Sequence, residues 1–233
     1  PDTLSDFIGY GISAYPADRY GLILWNHGGG STSGVCFDEL DGDFLTAPEI
    51  HQALSDAQTQ TGGFRFSVVA LDACLMATFE LACHLQPFAD YMVASEEMVP
   101  AEGLDYAAFL SALRDDPAME TEAFCRMMVD SYFDAALASL PDDYLTLSVL
   151  DLSQLPALAE SLDAIGGGLS IALDSGKLNT ISRNRQRMRS LGDFESYGSD
   201  MVDLRHFIEV YASLSGCDAA TALRALDAAV CYN

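Results

Sequence analysis

The sequence predicts an α/β protein built on a mostly parallel sheet flanked by helices, on three observations. First, Tyr20-Gly21-Leu22-Ile23-Leu24-Trp25-Asn26-His27 is a β-forming run that ends in histidine and is followed by Gly28-Gly29-Gly30. Second, Phe66-Ser67-Val68-Val69-Ala70-Leu71-Asp72 is a breaker-free run leading to Ala73-Cys74. Such unbroken apolar strands suit a sheet covered on both faces. Third, helical patterns separate these runs from each other and from Tyr91-Met92-Val93-Ala94-Ser95. That β-α-β-α-β alternation is the signature of parallel strands with right-handed crossovers.

Taken in order, residues 1–19 hold the apolar stretch Phe7–Ile12, read as an amphipathic helix or an edge element feeding the strand at 20–26. Residues 28–44 read as a polar, glycine-rich loop. Thr46-Ala47-Pro48-Glu49 has the form of a capping box with proline in the first turn, so a helix is expected from there to about Gln60, stopped by Gly62-Gly63. The central strand takes 66–72, and a helix is expected directly after Cys74, over Met76–Leu85 and closed by Pro87. After the third strand come helices at Leu104–Arg114 and Glu120–Leu140 and a fourth strand at Tyr144–Leu150. A long helix at Leu155–Leu173 is weakened by Gly166-Gly167-Gly168, and two more helices at about 200–213 and 218–230 finish the chain. The expectation is a single domain over 1–233, with a core of about 1–151 and a helical C-terminal portion of about 152–233.

The chain carries 35 acidic and 11 basic side chains, a formal charge of −24. Coulombic repulsion argues against nucleic acid or an anionic membrane surface as partner, whereas a cationic substrate would be attracted. No stretch approaches the ~18–20 apolar residues of a membrane span. Five of the bases, Lys177, Arg183, Arg185, Arg187 and Arg189, fall close together and read as a solvated helix face. The six cysteines, at 36, 74, 83, 125, 217 and 231, show no CxxC spacing, and no metal site is expected.

The chemistry lies at the strand ends. A thiolate is the nucleophilic form of cysteine, and a neighbouring imidazole can take the thiol proton and later return it to a leaving group. If the strands at 20–26 and 66–72 are neighbours, His27 and Cys74 emerge at one edge, and a helix starting at Leu75 would direct its positive end at the sulfur. Backbone N–H groups of Gly28 and Cys74 are candidates for an oxyanion site. A buried structural cysteine beside a capping histidine is the competing reading. The His-Gly-Gly-Gly run also occurs in serine hydrolases, but the Gly-x-Ser-x-Gly elbow they require is missing. Asp72 shares a strand face with Cys74. It is either the floor of a pocket for a cationic side chain or a cap of the following helix.

Four segments in order resemble the clostripain family: Tyr15–Tyr20, Leu22–Gly30, Leu71–Ala77 and Tyr91–Glu97. The match is good over about residues 4–110 and looser beyond. The resemblance implies a caspase-like three-layer fold, a His27/Cys74 dyad and cleavage of protein or peptide substrates after Arg or Lys. It places Asp72 in the primary specificity pocket, with Glu102 as the chosen second contributor among Glu96, Glu97 and Glu102. It implies export to the cell surface or medium, and a monomer is expected. No cofactor is required, although the family's association with calcium directs attention to Asp38, Glu39, Asp41 and Asp43, which do not fit an EF-hand spacing. The sequence departs from the family in two places: no base lies between Arg19 and Arg65, where self-cleavage would occur, and Gly103-Leu104 stands for the usual Gly-Trp. Two other functions stay open on these residues: a binding or adhesion domain without turnover, and a cysteine amidase or transpeptidase acting on non-protein amides.

Overall fold

The computed structural model describes residues 1–139, 144–192 and 201–233. They form two compact units, Pro1–Leu152 with Cys231–Asn233, and Ser153–Val230.

The first unit opens with α1 (Asp2–Ala14), whose Leu4 and Ile8 are buried one helical turn apart. β1 (Gly21–Trp25) follows. The segment read as a loop contains a short helix, α2 (Gly30–Ser33), and an antiparallel pair, β2 (Val35–Asp38) with β3 (Asp43–Leu45). α3 (Ala47–Gln60) starts at the expected capping box: the Glu49 N–H donates to Thr46 Oγ1, and the Thr46 N–H donates back to the Glu49 carboxylate. Those bonds satisfy two groups that the first helical turn leaves open, and they hold the Glu49 carboxyl below its ordinary range.

β4 (Phe66–Asp72) is buried at every position except Ser67, the pattern of an inner strand. α4 (Phe79–Leu85), β5 (Ala89–Ala94), α5 (Tyr106–Asp115), α6 (Thr121–Ser139) and β6 (Ser148–Asp151) follow. The sheet order is β1-β4-β5-β6-β7, where β7 (Val230–Tyr232) is a strand the sequence reading did not foresee. β4 runs parallel to β1 and β5, and β6 is antiparallel to β5. Val68 and Ala70 of β4 bury one face against Phe109 of α5 and Met128 and Tyr132 of α6, with Val93 and Val149 from neighbouring strands. Val69 and Leu71, alternating with them, are buried on the other side.

The second unit is helical: α7 (Leu155–Asp174), α8 (Leu178–Arg185), α9 (Leu204–Ser215) and α10 (Ala219–Ala229). The three glycines do not break α7. At Gly168 a Cβ would overlap the Ser215 carbonyl oxygen of α9, whereas Gly166 and Gly167 face open space. α8, which carries Arg183 and Arg185, buries none of its residues. Residues 140 and 200, expected ends of two helices, lie outside the described residues.

Candidate active site

β1 and β4 pair in parallel register up to Trp25 opposite Asp72, and the Asn26 N–H still reaches the Asp72 carbonyl at 3.5 Å. The chain continues two residues beyond each strand, to His27 and to Cys74, so both emerge at the carboxyl edge of the sheet. His27 is exposed and Cys74 half-buried.

Gly28 sits against the Cys74 turn. A Cβ there would overlap the Cys74 carbonyl oxygen and stand 3.0 Å from the Ala73 Cβ, so only glycine permits this approach. The bonds Cys36 N–H to His27 O (3.0 Å) and Gly29 N–H to Gly34 O (2.8 Å) frame Gly28 opposite Val35 without using the Gly28 N–H. That donor is left for a group outside the ladder.

Backbone strain gathers at the same place. Among the described residues, the non-glycine positions with positive φ are Asn26 (151°), Cys36 (60°) and Leu75 (66°). Asn26 precedes His27, Leu75 follows Cys74, and Cys36 bonds the His27 carbonyl. Such conformations persist only where surrounding structure holds them, and they concentrate at functional sites. Burial pushes the Cys36 thiol up, and its Sγ donates to the Trp25 carbonyl at 3.7 Å.

The helix expected to begin at Leu75 does not. Leu75 is in a turn, its N–H goes to the Glu97 carbonyl and that of Ala77 to the Ser95 carbonyl, and α4 starts at Phe79 with Thr78 as cap. The helix dipole is therefore not delivered to the sulfur. Cys74 Sγ is instead held by Val99, which donates its N–H at 3.2 Å and offers its carbonyl at 3.7 Å. A cavity of about 300 Å³, lined by Glu97, Met98, Val99, Pro100, Tyr144 and Leu145, adjoins that contact through Val99.

Asp72 is buried, at 3% exposure, on the face that α5 and α6 cover. The helix-cap reading fails, because its carboxylate accepts the Leu104 N–H (3.2 and 3.3 Å to its two oxygens) and the Tyr106 hydroxyl (2.8 Å). Burial, and then that bond to Asp72, drive the Tyr106 phenol well above its usual range. Glu102 is exposed and is not brought onto Asp72; Gly103 lies there, in a left-handed conformation (φ 65°) with its Cα turned to the carboxylate. Val99, which bonds Cys74, and Tyr106, which bonds Asp72, are contacts that sequence reasoning missed. Each arrives from an element distant in the chain, so no local pattern marks it.

All six cysteines are free. The acids at 38–43 are engaged in a turn: Asp38 Oδ1 accepts the N–H groups of Leu40 and Asp41, and Asp43 Oδ1 that of Phe44. Among the described residues no group of three or more His, Cys, Asp or Glu side chains could hold a metal ion. No described helix is long and apolar enough to cross a membrane.

The chain is 34% identical to clostripain from Hathewaya histolytica, a match covering 91% of this chain and 44% of that protein. It therefore spans less than half the length of that relative. Among solved structures, a secreted C11 cysteine protease from Bacteroides thetaiotaomicron, bound to an irreversible peptide inhibitor, superposes with a TM-score of 0.67 at 21% identity. That likeness covers 99% of this chain and 62% of that one. An inactive zymogen C11 protease from Parabacteroides distasonis gives 0.63 at 21% identity, covering 99% and 60%. At these identities the likeness establishes the shared α/β fold. The model of the clostripain family matches residues 1–232, and with it the chain belongs to that family.

Proposed function

We propose that the protein is a cysteine endopeptidase that cleaves after Arg or Lys through a His27/Cys74 dyad and a thioester acyl-enzyme. The observation that carries this reading is the Trp25–Asp72 register, which sets His27 and Cys74 at one sheet edge with Gly28 packed on the Cys74 turn. Family membership supports it.

In the reaction, His27 takes the Cys74 proton and Sγ attacks the scissile carbonyl carbon. The carbonyl oxygen becomes an oxyanion facing the N–H groups of Gly28 and Cys74. Such donors, preorganised where charge develops, supply roughly 3–4 kcal/mol each. Collapse breaks the C–N bond, His27 protonates the leaving amine, and water activated by the same imidazole hydrolyses the thioester. The sulfur must exchange its Val99 contact for the imidazole before this sequence begins. Asp72 anchors the substrate cation; a bidentate carboxylate–guanidinium contact favours Arg over Lys. Asp72 is covered by Gly103, Leu104 and Tyr106, so the segment from Val99 to Tyr106 has to lift for the cation to enter.

Export is part of the reading and rests on the relative described as secreted. The test is release from fluorogenic peptides ending in Arg, Lys, Asp or Ala, by the protein and by Cys74→Ala and His27→Ala variants. Release from the Arg and Lys peptides, lost in both variants, is expected. Equal release by the Cys74→Ala variant ends the peptidase reading, and release from Asp or Ala peptides alone ends the role of Asp72.

A further inference from the structure

Among the described residues, one buried side-chain polar atom has no hydrogen-bond partner: the hydroxyl of Tyr132. Tyr132 is wholly buried on α6, in the cluster that contains Val68 and Ala70. Those two residues and Asp72 alternate along β4 and share one face. Tyr106, which bonds Asp72, and Val99, which bonds Cys74, pack against the same cluster. Burial, and then the nearby charges of Asp72 and Cys74, push the Tyr132 phenol up to about 12. Leu104, whose N–H bonds Asp72, belongs to the same cluster, so the orphan oxygen lies in the core that Asp72 adjoins.

A phenylalanine would fill this position without leaving a desolvated hydroxyl, which costs about 1–3 kcal/mol when unpaired. Asp72 has a matching deficit. Its carboxyl group is buried, and among the described residues no Lys, Arg or His pairs with it. A carboxylate lacking a cation and a hydroxyl lacking a donor, joined to one core, are complementary to a single missing group with several N–H donors.

We propose that Tyr132 is a specificity residue of the cation pocket, its hydroxyl oxygen accepting an N–H from the guanidinium or ammonium group that Asp72 anchors. This rests on the role proposed for Asp72 and adds a second oxygen to it.

The test uses the Cys74→Ala protein, titrated calorimetrically with acetyl-arginine amide and with acetyl-norleucine amide, alone and with Tyr132→Phe or Asp72→Asn added. Tyr132→Phe is expected to weaken arginine binding about tenfold, the loss of one hydrogen bond to a charged group, and to leave the norleucine amide unchanged. In the active enzyme the same change is expected to raise KM for Arg peptides with kcat retained, and not to lower the melting temperature. Undiminished arginine binding by Tyr132→Phe, where Asp72→Asn abolishes it, overturns this inference and leaves the Asp72 role standing. Undiminished binding by Asp72→Asn, or none by the parent, overturns both. A second measurement needs no Tyr132 variant: with tyrosine 13C-labelled at Cζ, the Tyr132 resonance is expected to shift on adding acetyl-arginine amide, and a stationary resonance overturns the inference.

Discussion

The backbone N–H of Leu104 meets both carboxylate oxygens of Asp72, at 3.2 and 3.3 Å, so the residue proposed to hold the substrate cation is occupied by its own chain. That contact depends on Gly103. A Cβ at this position would stand 2.6 Å from Asp72 Oδ2, and the glycine's φ of 65° is one that other residues adopt at a cost. Gly103→Ala is therefore expected to displace the Val99–Tyr106 segment and to destabilise the protein by about 1–2 kcal/mol. Thermal unfolding measures the stability, and KM for an Arg peptide measures the displacement. An unchanged melting temperature would contradict the close packing of Gly103 on Asp72.

Gly28 makes the corresponding contact at Cys74, but against backbone rather than a movable carboxylate. Gly28→Ala must push the His27 and Cys74 segments apart, and misplacement of reacting groups by about 1 Å costs roughly a hundredfold in rate. The expected result is a kcat about a hundredfold lower with little change in KM, read by steady-state kinetics on an Arg peptide. Full activity in this variant would place the chemistry elsewhere.

Alkaline stability should depend on Tyr132. Its phenol is raised to about 12 in the folded protein, chiefly by burial and then by the charges of Asp72 and Cys74, whereas in the unfolded chain it ionises near 10. Between those values the unfolded state binds fewer protons than the folded one, so unfolding becomes easier as pH rises, by up to about 1.4 kcal/mol per pH unit for this group. Below pH ~10 the group has no effect on the slope. Urea unfolding of the parent and the Tyr132→Phe protein at pH 8 to 11 should give a shallower decline in the variant; parallel curves would refute the assignment.

The three glycines of α7 should behave oppositely to one another. Gly166→Ala and Gly167→Ala place a methyl group in open space within a helix, and each should stabilise by about 0.5–1 kcal/mol. Gly168→Ala drives a Cβ into the Ser215 carbonyl of α9 and should destabilise the helical unit. Thermal melts of the three variants decide it, and a uniform response would mean that α7 and α9 do not meet at this point.

The elements that sequence made legible are those held by local rules. The capping box at Thr46 and Glu49 and the runs of β1, β4 and β5 carry their signals within a few residues. Where long-range bonds decide, the reading failed. Leu75-Met76-Ala77 has helical composition, but the N–H groups of Leu75 and Ala77 go to the segment after β5, so the helix waits for Thr78. There the Leu81 N–H donates to Thr78 Oγ1 and caps the helix. The β2–β3 pair was hidden because strands of four and three residues, interrupted by glycine and aspartate, give no usable alternation. The antiparallel sense of β6 could not be read, since nothing in Ser148–Asp151 specifies direction. At the site, the edge shared by His27 and Cys74 followed from strand order. The partners of Asp72 and Cys74, namely Leu104, Tyr106 and Val99, come from loops and helices whose return to β4 no spacing encodes.

The last strand changes what the chain's second unit is. β7 lies beside β6 in the sheet, and Cys231 Sγ donates to the Val149 carbonyl of β6 at 3.5 Å, yet the whole of Ser153–Val230 separates them in sequence. The helical unit leaves and rejoins the first unit at neighbouring strands, so in topological terms it is a guest spliced into a β6–β7 connection. A host of this kind can exchange its guest for a shorter link without rewiring the strands that carry His27 and Cys74. A change in the length of that connection leaves the order of β1, β4 and β5 as it is, and with it the edge at which His27 and Cys74 emerge.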